Sequence, residues 1–377
     1  MHVVVVGAGI FGVTAAVTLG RGHRVTLLDA GGIPHPLAES TDVSKAVRMD
    51  YGADEFYASE MERALDAWRG WNAAFGEDLF HETGAMFVTA QPMAPGGFEH
   101  DSYVTLTRRG HGLERLDRQA IEARSSLRGF EDGYWNPHGG FAESTRVIER
   151  LLQQGHAANI VVREHARITE IVTSNDRATG VVLAGGDRLA ADAIVVTAGG
   201  WTNDIVPELE GAFRMVGQPV FHIEAEPDVL LPVFGADIAK TGWYGFPRSD
   251  AGRFVKVANH GVGRLMHPST KERDVTADEE TRLRDFLRTA LPALASAPII
   301  KKRICVYCDT LDEHFWIAPH PRLANLVVAT GGSGHAFKFA PLLGDWIARA
   351  LAGDVIPRFR WRTDLQASGG EEAARHR

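Results

Sequence analysis

The apolar positions along the chain change period several times, and the first change organises the rest. Residues 3–6 are four consecutive valines, a run too short for a helix and without polar alternation, which predicts a strand buried on both faces. Gly7, Gly9 and Gly12 follow at once, then Ala15, Ala16 and Leu19 recur at helical spacing until Gly22 closes the helix. A second apolar run over residues 25–28 predicts another buried strand and ends on Asp29. Strand, G-x-G-x-x-G, helix, strand and acid stand in register. The glycines allow a tight turn and let backbone N–H groups approach a pyrophosphate at the helix N-terminus, and Asp29 stands where a ribose hydroxyl is held. The pattern predicts dinucleotide binding without separating FAD from NAD(P).

Residues 30–52 are rich in Gly, Pro and Ser and predict a loop, near whose end stand Lys45 and Arg48. Apolar residues then recur at Phe56, Met61, Leu65, Trp68 and Phe75, predicting an amphipathic helix over 54–75 capped by Asp54. Residues 84–89 read as a strand and 91–100, with two prolines and two adjacent glycines, as an exposed loop. A second helix is expected over 143–154, capped by Ser144 or Thr145 and stopped by Gly155. Short strands are expected at 160–163, 168–172, 181–183 and 188–190, and a buried one at 192–197 running into Gly199, Gly200 and Trp201. Strand-like alternation resumes over 210–319, interrupted by a helix whose start at Thr276 with Glu279 makes a capping box. A last apolar strand, 326–330, ends in Gly331, Gly332, Ser333 and Gly334 before a helix to about residue 351.

Glycine-terminated strands thus recur near the start, middle and end of the chain. If they share one sheet, the three glycine clusters surround one long ligand beyond the strands' carboxyl ends, which favours FAD over NAD because a resident flavin needs its ring enclosed as well as its pyrophosphate held. The expected fold is α/β: a Rossmann-like FAD-binding domain from residues 1–80, 140–210 and 320–364, and a second, α+β substrate domain on a mixed, largely antiparallel sheet from 81–139 and 211–319. Residues 365–377 are expected to be a disordered tail.

Composition narrows the partners. In 377 residues the net charge is −8, and no Lys/Arg cluster resembles a phosphate-backbone stripe, which argues against nucleic acid. No apolar run approaches a membrane span, nothing precedes the first strand that would serve as a signal peptide, and two cysteines exclude a disulfide framework, so a cytoplasmic setting is expected.

Candidate chemistry sits in three stretches. Along 302–309 strand alternation puts Cys305 and Tyr307 on one side and Cys308 on the other. A C-x-x-C invites a zinc reading, but no second ligand pair exists and a strand points the sulfurs apart, so no metal is expected. Two small buried residues are the plain alternative. Along 253–260, Phe254, Lys256, Ala258 and His260 share a face; a lysine there is an ordinary solvent-facing residue unless that face meets a cofactor, where its charge would stabilise a developing anion. Lys338, in the first turn of the last helix, works against the helix dipole, which points either to an anionic ligand or, equally, to an ordinary surface lysine.

The segments CVYCDTLDEHFWIAPHP and NLVVATGGSGHAFKFAP, with STDVSKAVRMDYG and the N-terminal glycine pattern, resemble the monomeric sarcosine oxidase and N-methyltryptophan oxidase family of FAD-dependent amine oxidases. The resemblance spans the chain up to the tail, and its C-terminal motifs, far more specific than the glycine triplet, decide for FAD. It implies an oxidase of a secondary amino acid or related amine, using dioxygen and releasing hydrogen peroxide, and working as a monomer. It implies that Cys305 bonds covalently to the flavin, Lys256 activates oxygen, His260 and Tyr307 line the active site, and Arg48 and Lys338 bind the substrate carboxylate. The cofactor contacts it implies run through Gly7, Gly9, Ile10, Phe11, Gly12, Asp29 and Ala30, then Ser40, Thr41, Ser44 and Lys45. They continue with Ile168, Gly199 and Trp201, and finish with Gly332, Gly334, His335, Phe337 and Lys338. Three departures bear on the substrate: Lys45 stands where the sarcosine oxidases have arginine, as in oxidases of fructosyl amino acids; Thr41 stands near a histidine; and Trp243 stands in place of a pocket tyrosine. The alternatives are therefore a fructosyl amino acid oxidase or a flavin amine dehydrogenase with another electron acceptor.

Overall fold

A computed structural model describes residues 1–158, 160–249, 252–363 and 365. Apart from residue 365, the expected tail lies outside the described residues. The valine run forms the strand His2–Val6 at the heart of a six-stranded sheet, in the spatial order Trp316–Pro319, Leu326–Thr330, Ala193–Val196, His2–Val6, Arg24–Leu28, Val161–Arg163. All neighbours are parallel except Trp316–Pro319, which runs antiparallel to Leu326–Thr330. Continuous valine and leucine suits these strands because both faces are covered, one by helices and the other by a second apolar cluster around Ile168, Val181 and Trp316.

The helix Ile10–Leu19 starts at Gly9 and ends at Gly20, two residues before the expected Gly22. It packs against the last helix, Ala340–Leu351, so closely that a Cβ on Gly344 would meet the Thr18 hydroxyl at 2.2 Å. Helix Glu55–Phe75 begins as expected, with the Asp54 carboxylate accepting from Phe56 N–H at 3.0 Å and Tyr57 N–H at 3.2 Å. The capping box of Thr276 and Glu279 opens the helix Ala277–Ala290.

The other large sheet is mixed and mostly antiparallel. Phe213–Glu224 is flanked on one side by Ile299–Thr310 and on the other by Arg264–Leu265 and Phe254–Asn259; beyond them come Trp243–Gly245, Val233–Ala236, Ala85–Thr89, Asp132–Asn136 and Glu114–Asp117. The pairing of Val233–Ala236 with Ala85–Thr89 is its parallel step. One face packs on helix Ala277–Ala290; the other faces the glycine-terminated strands.

Several expectations change. Residues 98–100 belong not to an exposed loop but to a helix, Phe98–Arg108, whose first side chain is buried beneath Phe87. Helix Ser144–Ala157 runs through Gly155, because that glycine faces Ile160 and Val17 and its missing side chain leaves room for them. Ser144 and Thr145 do not cap their own helix; both hydroxyls donate to the Asp42 carbonyl at 2.8 Å. Trp316–Pro319, expected in the substrate portion, completes the six-stranded sheet.

Candidate active site

The carboxyl ends of His2–Val6, Ala193–Val196 and Leu326–Thr330 open on one cavity of about 600 Å³, whose far wall is the large mixed sheet. At its first end the chain makes a cradle without side chains. A Cβ on Gly12 would lie 1.7 Å from the Gly7 carbonyl oxygen and one on Gly7, at φ +101°, 2.6 Å from that of Thr197. Asp29 accepts from Ala8 N–H at 2.8 Å and Gly31 N–H at 2.9 Å, and Ser40 Oγ accepts from Ile10 N–H at 3.0 Å. Gly12→Ala forces backbone apart, a cost of at least the ~1–3 kcal/mol of ordinary overpacking. The expected outcome is a lowered melting temperature and a lower ratio of visible flavin absorbance to protein absorbance in the purified protein.

Of the anticipated cofactor residues, Gly7, Gly9, Ile10, Phe11, Asp29, Ala30, Ser40, Lys45, Ile168, Gly199, Trp201, Gly332, Gly334, His335, Phe337 and Lys338 line this cavity. Gly12, Thr41, Ser44 and Cys305 do not. Gly12 is consumed in closing the turn, and the Thr41 hydroxyl donates to the His35 carbonyl at 2.7 Å. Ser44 presents its carbonyl to Lys256, whose Nζ donates to it at 2.6 Å. Cys305 is buried behind the cavity lining, packed with Val220, Ala258 and the lining residue Tyr307.

Strand alternation brings Lys256 and Tyr307 to the same cavity, with His260 just past the end of its strand. The Tyr307 hydroxyl lies 3.3 Å from that of Tyr244, and its ring 5.6 Å from the His260 ring. The sulfurs of the two cysteines do point apart: Cys308 Sγ sits 3.7 Å from Thr330 Oγ1 in the apolar layer of the first sheet, where burial pushes its thiol up to about 12. Cys308 also contributes to the cavity wall, so it is not wholly remote.

Trp243 is a correction. It turns away from the cavity and stacks on Phe286 at 5.0 Å and 16°, while its neighbour Tyr244 faces the site. In a strand, adjacent residues face opposite ways, so matching the tyrosine one position off assigns the wrong side chain.

Arg48 and Lys338 meet over the Tyr51 ring at one end of the cavity. The Arg48 guanidinium lies 5.5 Å from the Phe87 ring centre and donates to the Asp50 carbonyl, and Lys338 Nζ lies 4.3 Å above the Tyr51 ring. Lys338 does not sit inside the last helix but in the short 3-10 turn Phe337–Phe339 before it, where the Trp68 indole donates to its carbonyl at 2.7 Å. Asp50 is buried beneath them and accepts from Tyr134 Oη at 2.7 Å. Burial pushes its carboxyl up, against the pull of Arg48, Tyr134, Asn136 and Lys338.

A second buried carboxylate, Asp42, escaped the sequence reading. Lys256 Nζ lies 2.6 Å from its Oδ2, and Lys45 Nζ and Arg303 Nη2 each lie 3.5 Å away. Burial would raise this carboxyl, but the three cations hold it far below the usual range. Lys256 is driven down to about 8, by burial first and by Lys45 and Arg303 with it, against Asp42. For Lys45 burial also presses downward, yet Cys305, Asp42 and Tyr244 outweigh it and raise it to about 12. No sequence signal links Asp42 to Lys256, 214 residues away. Glu39, also missed, accepts from the N–H groups of Gly334 at 3.2 Å and Cys308 at 3.3 Å.

The glycine cradle, the acid after the second strand and one cavity joining both to a cationic, aromatic-lined end suit a flavin dinucleotide. Residues 2–350 match the FAD dependent oxidoreductase family. The chain is 27% identical to the monomeric sarcosine oxidase of a Bacillus species over 92% of each chain. To the N-methyl-L-tryptophan oxidase of Salmonella arizonae it is 28% identical over 94% of this chain and 95% of the other. Its fold superposes on a modified fructosyl peptide oxidase from Aspergillus nidulans with a TM-score of 0.86, at 21% identity, covering 99% of this chain and 95% of that one. Among the described residues no helix is long and apolar enough to cross a membrane.

Proposed function

The chain belongs to the FAD dependent oxidoreductase family, and from that premise we propose that it oxidises a secondary amino acid, N-methylated or cyclic, or a related amine. Bound in the cavity, FAD would take the hydride equivalent from the carbon beside the amine nitrogen and pass two electrons to dioxygen, giving an imine, which water hydrolyses, and hydrogen peroxide.

The chain's own residues would do the rest. Arg48 and Lys338 would hold the substrate carboxylate and so fix which C–H bond is presented. Phe87, Val233, Phe234, Ile238, Tyr244 and Phe246 line that end of the cavity and would exclude water from the reacting carbon. Lys256, cationic below about pH 8, would stabilise negative charge developing on dioxygen. The observation that carries the proposal is that Arg48, Lys256, Tyr307 and Lys338, from four distant segments, line the same cavity as the glycine cradle.

A fructosyl amino acid oxidase is the second reading, favoured by Lys45 at the cavity. Against it stands the apolar lining, which offers a sugar's hydroxyl groups few partners. A panel of sarcosine, pipecolate, proline, N-methyltryptophan and fructosyl-valine, read as peroxide released per substrate consumed, separates the cases. Turnover of secondary amino acids with equimolar peroxide is expected. Fructosyl-valine as the best substrate would reverse the order of the readings, and substrate consumption without peroxide would make the enzyme a dehydrogenase.

Cys305 is proposed as the covalent attachment point, with support from its packing against Tyr307, which lines the cavity. Acid-precipitated protein is then expected to stay yellow, and Cys305→Ser to release its flavin into the supernatant; a colourless wild-type pellet overturns the attachment. The same proposal includes a cytoplasmic monomer, consistent with two unpaired buried cysteines, and light scattering checks the monomer.

A further inference from the structure

Asp42 plays no part in the chemistry just assigned, yet it is buried and held from several directions. Its side chain is 3% exposed. Its Oδ1 accepts from Val43 N–H at 2.8 Å, and its carbonyl takes the Ser144 and Thr145 hydroxyls, so the start of helix Ser144–Ala157 fixes the loop that carries it. Its Oδ2 takes Lys256 Nζ. An ammonium has three donors; the Asp42 carboxylate and the Ser44 carbonyl occupy two of those of Lys256.

We infer that Asp42 is a positioning residue: with the Ser44 carbonyl it anchors the Lys256 ammonium at the cavity, and its charge holds Lys256, Lys45 and Arg303 together. This rests on the oxygen-reacting role proposed for Lys256. The physical reason is charge balance. Three cations meeting in a buried wall repel one another, and a lysine there sheds its proton unless a carboxylate opposes the repulsion. One carboxylate among three cations keeps Lys256 charged while leaving the cluster with a net positive field on the cavity. The other titratable groups around the cluster include His222, opposite Lys256 on the neighbouring strand and itself lowered to about 4 by burial, the phenols of Tyr244 and Tyr307, both raised by burial, and Cys305, a thioether in the proposed holoenzyme. The neutral imidazole, the neutral phenols and the thioether supply no negative charge at neutral pH, so nothing among these takes the place of Asp42.

The test follows the titration of Lys256 in the holoenzyme by NMR of isotope-labelled lysine, assigned with Lys256→Met, alongside the pH dependence of reoxidation by oxygen. Asp42 raises the Lys256 pKa, so Asp42→Asn is expected to move the Lys256 midpoint down by about one to three pH units. Above the wild-type midpoint of about 8 the oxygen reaction should be slower by about tenfold for each pH unit by which the midpoint has fallen, with a smaller effect on anaerobic reduction. Asp42→Glu should recover most of the titration. An unchanged midpoint in folded Asp42→Asn overturns the inference. If that variant does not fold, Asp42→Asn combined with Lys45→Gln keeps the cluster's net charge, and its midpoint should fall below that of Lys45→Gln alone; equal midpoints overturn the inference. The midpoint reports the contact whatever oxygen does, whereas a Lys256→Met enzyme that reoxidises normally would remove the role of Lys256 and leave the titration result standing.

Discussion

Lys256→Met is expected to slow reoxidation of the reduced enzyme by dioxygen about 10²- to 10³-fold, the usual cost of removing one preorganised charge or donor from a developing anion. Anaerobic reduction by substrate should change far less. The separation is expected because the lysine offers nothing to a neutral C–H bond but a full charge to oxygen as it gains electrons. Methionine is close in volume, so the 2%-exposed site stays filled. Asp42 keeps Lys45 and Arg303 as partners, so its carboxylate is not stranded and the fold should survive. Stopped-flow measurement of the two half-reactions decides it, and equal slowing of both would withdraw the assignment. In the wild type the oxygen reaction should also weaken as pH rises through about 8, where the ammonium is lost.

On the carboxylate-binding role proposed for them, removing Arg48 or Lys338 should act on binding instead. A charge-assisted hydrogen bond contributes ~1.5–3 kcal/mol, so Arg48→Ala and Lys338→Ala are each expected to raise KM by about ten- to a hundredfold. Arg48 carries a second burden: it opposes the burial that pushes the Asp50 carboxyl up. Its loss should therefore raise Asp50 further and leave that acid neutral over more of the pH range, which Lys338→Ala does to a lesser degree because Lys338 is the weaker influence. Arg48→Lys should recover the charge but not the two-pronged geometry, and so only part of the affinity. Steady-state kinetics with a carboxylate substrate and with its carboxamide analogue check the assignment. The mutants should lose their preference for the acid, and an unchanged preference would mean that the carboxylate is bound elsewhere.

How legible the site was depended on the range of the forces involved. Gly7, Gly9, Gly12 and Asp29 are read within one strand–helix–strand unit because a tight turn and a helix terminus are set by neighbouring residues. The Asp54 cap and the Thr276 capping box are equally local. Alternation along a strand was enough to pair Cys305 with Tyr307, since side chains two apart must share a face. It failed for Trp243 and Tyr244, where one position decides between the cavity and the ring of Phe286, and nothing in three strand residues says which face is covered.

Residue order was therefore sufficient for the first strand–helix–strand unit, the capped helices, the dinucleotide cradle and, through the motifs, the chemistry expected of Lys256, Arg48 and Lys338. It took the folded chain to show that Gly155 lies inside a helix, that Phe98 is buried, and that Asp42 forms an ion pair with a lysine 214 residues away. Local patterns report steric and hydrogen-bonding demands that a few adjacent residues impose on one another. A buried charge answers instead to whatever the fold carries within a few ångströms of it, and those neighbours come from the loop after residue 40, from the start of helix Ser144–Ala157 and from two separate strands.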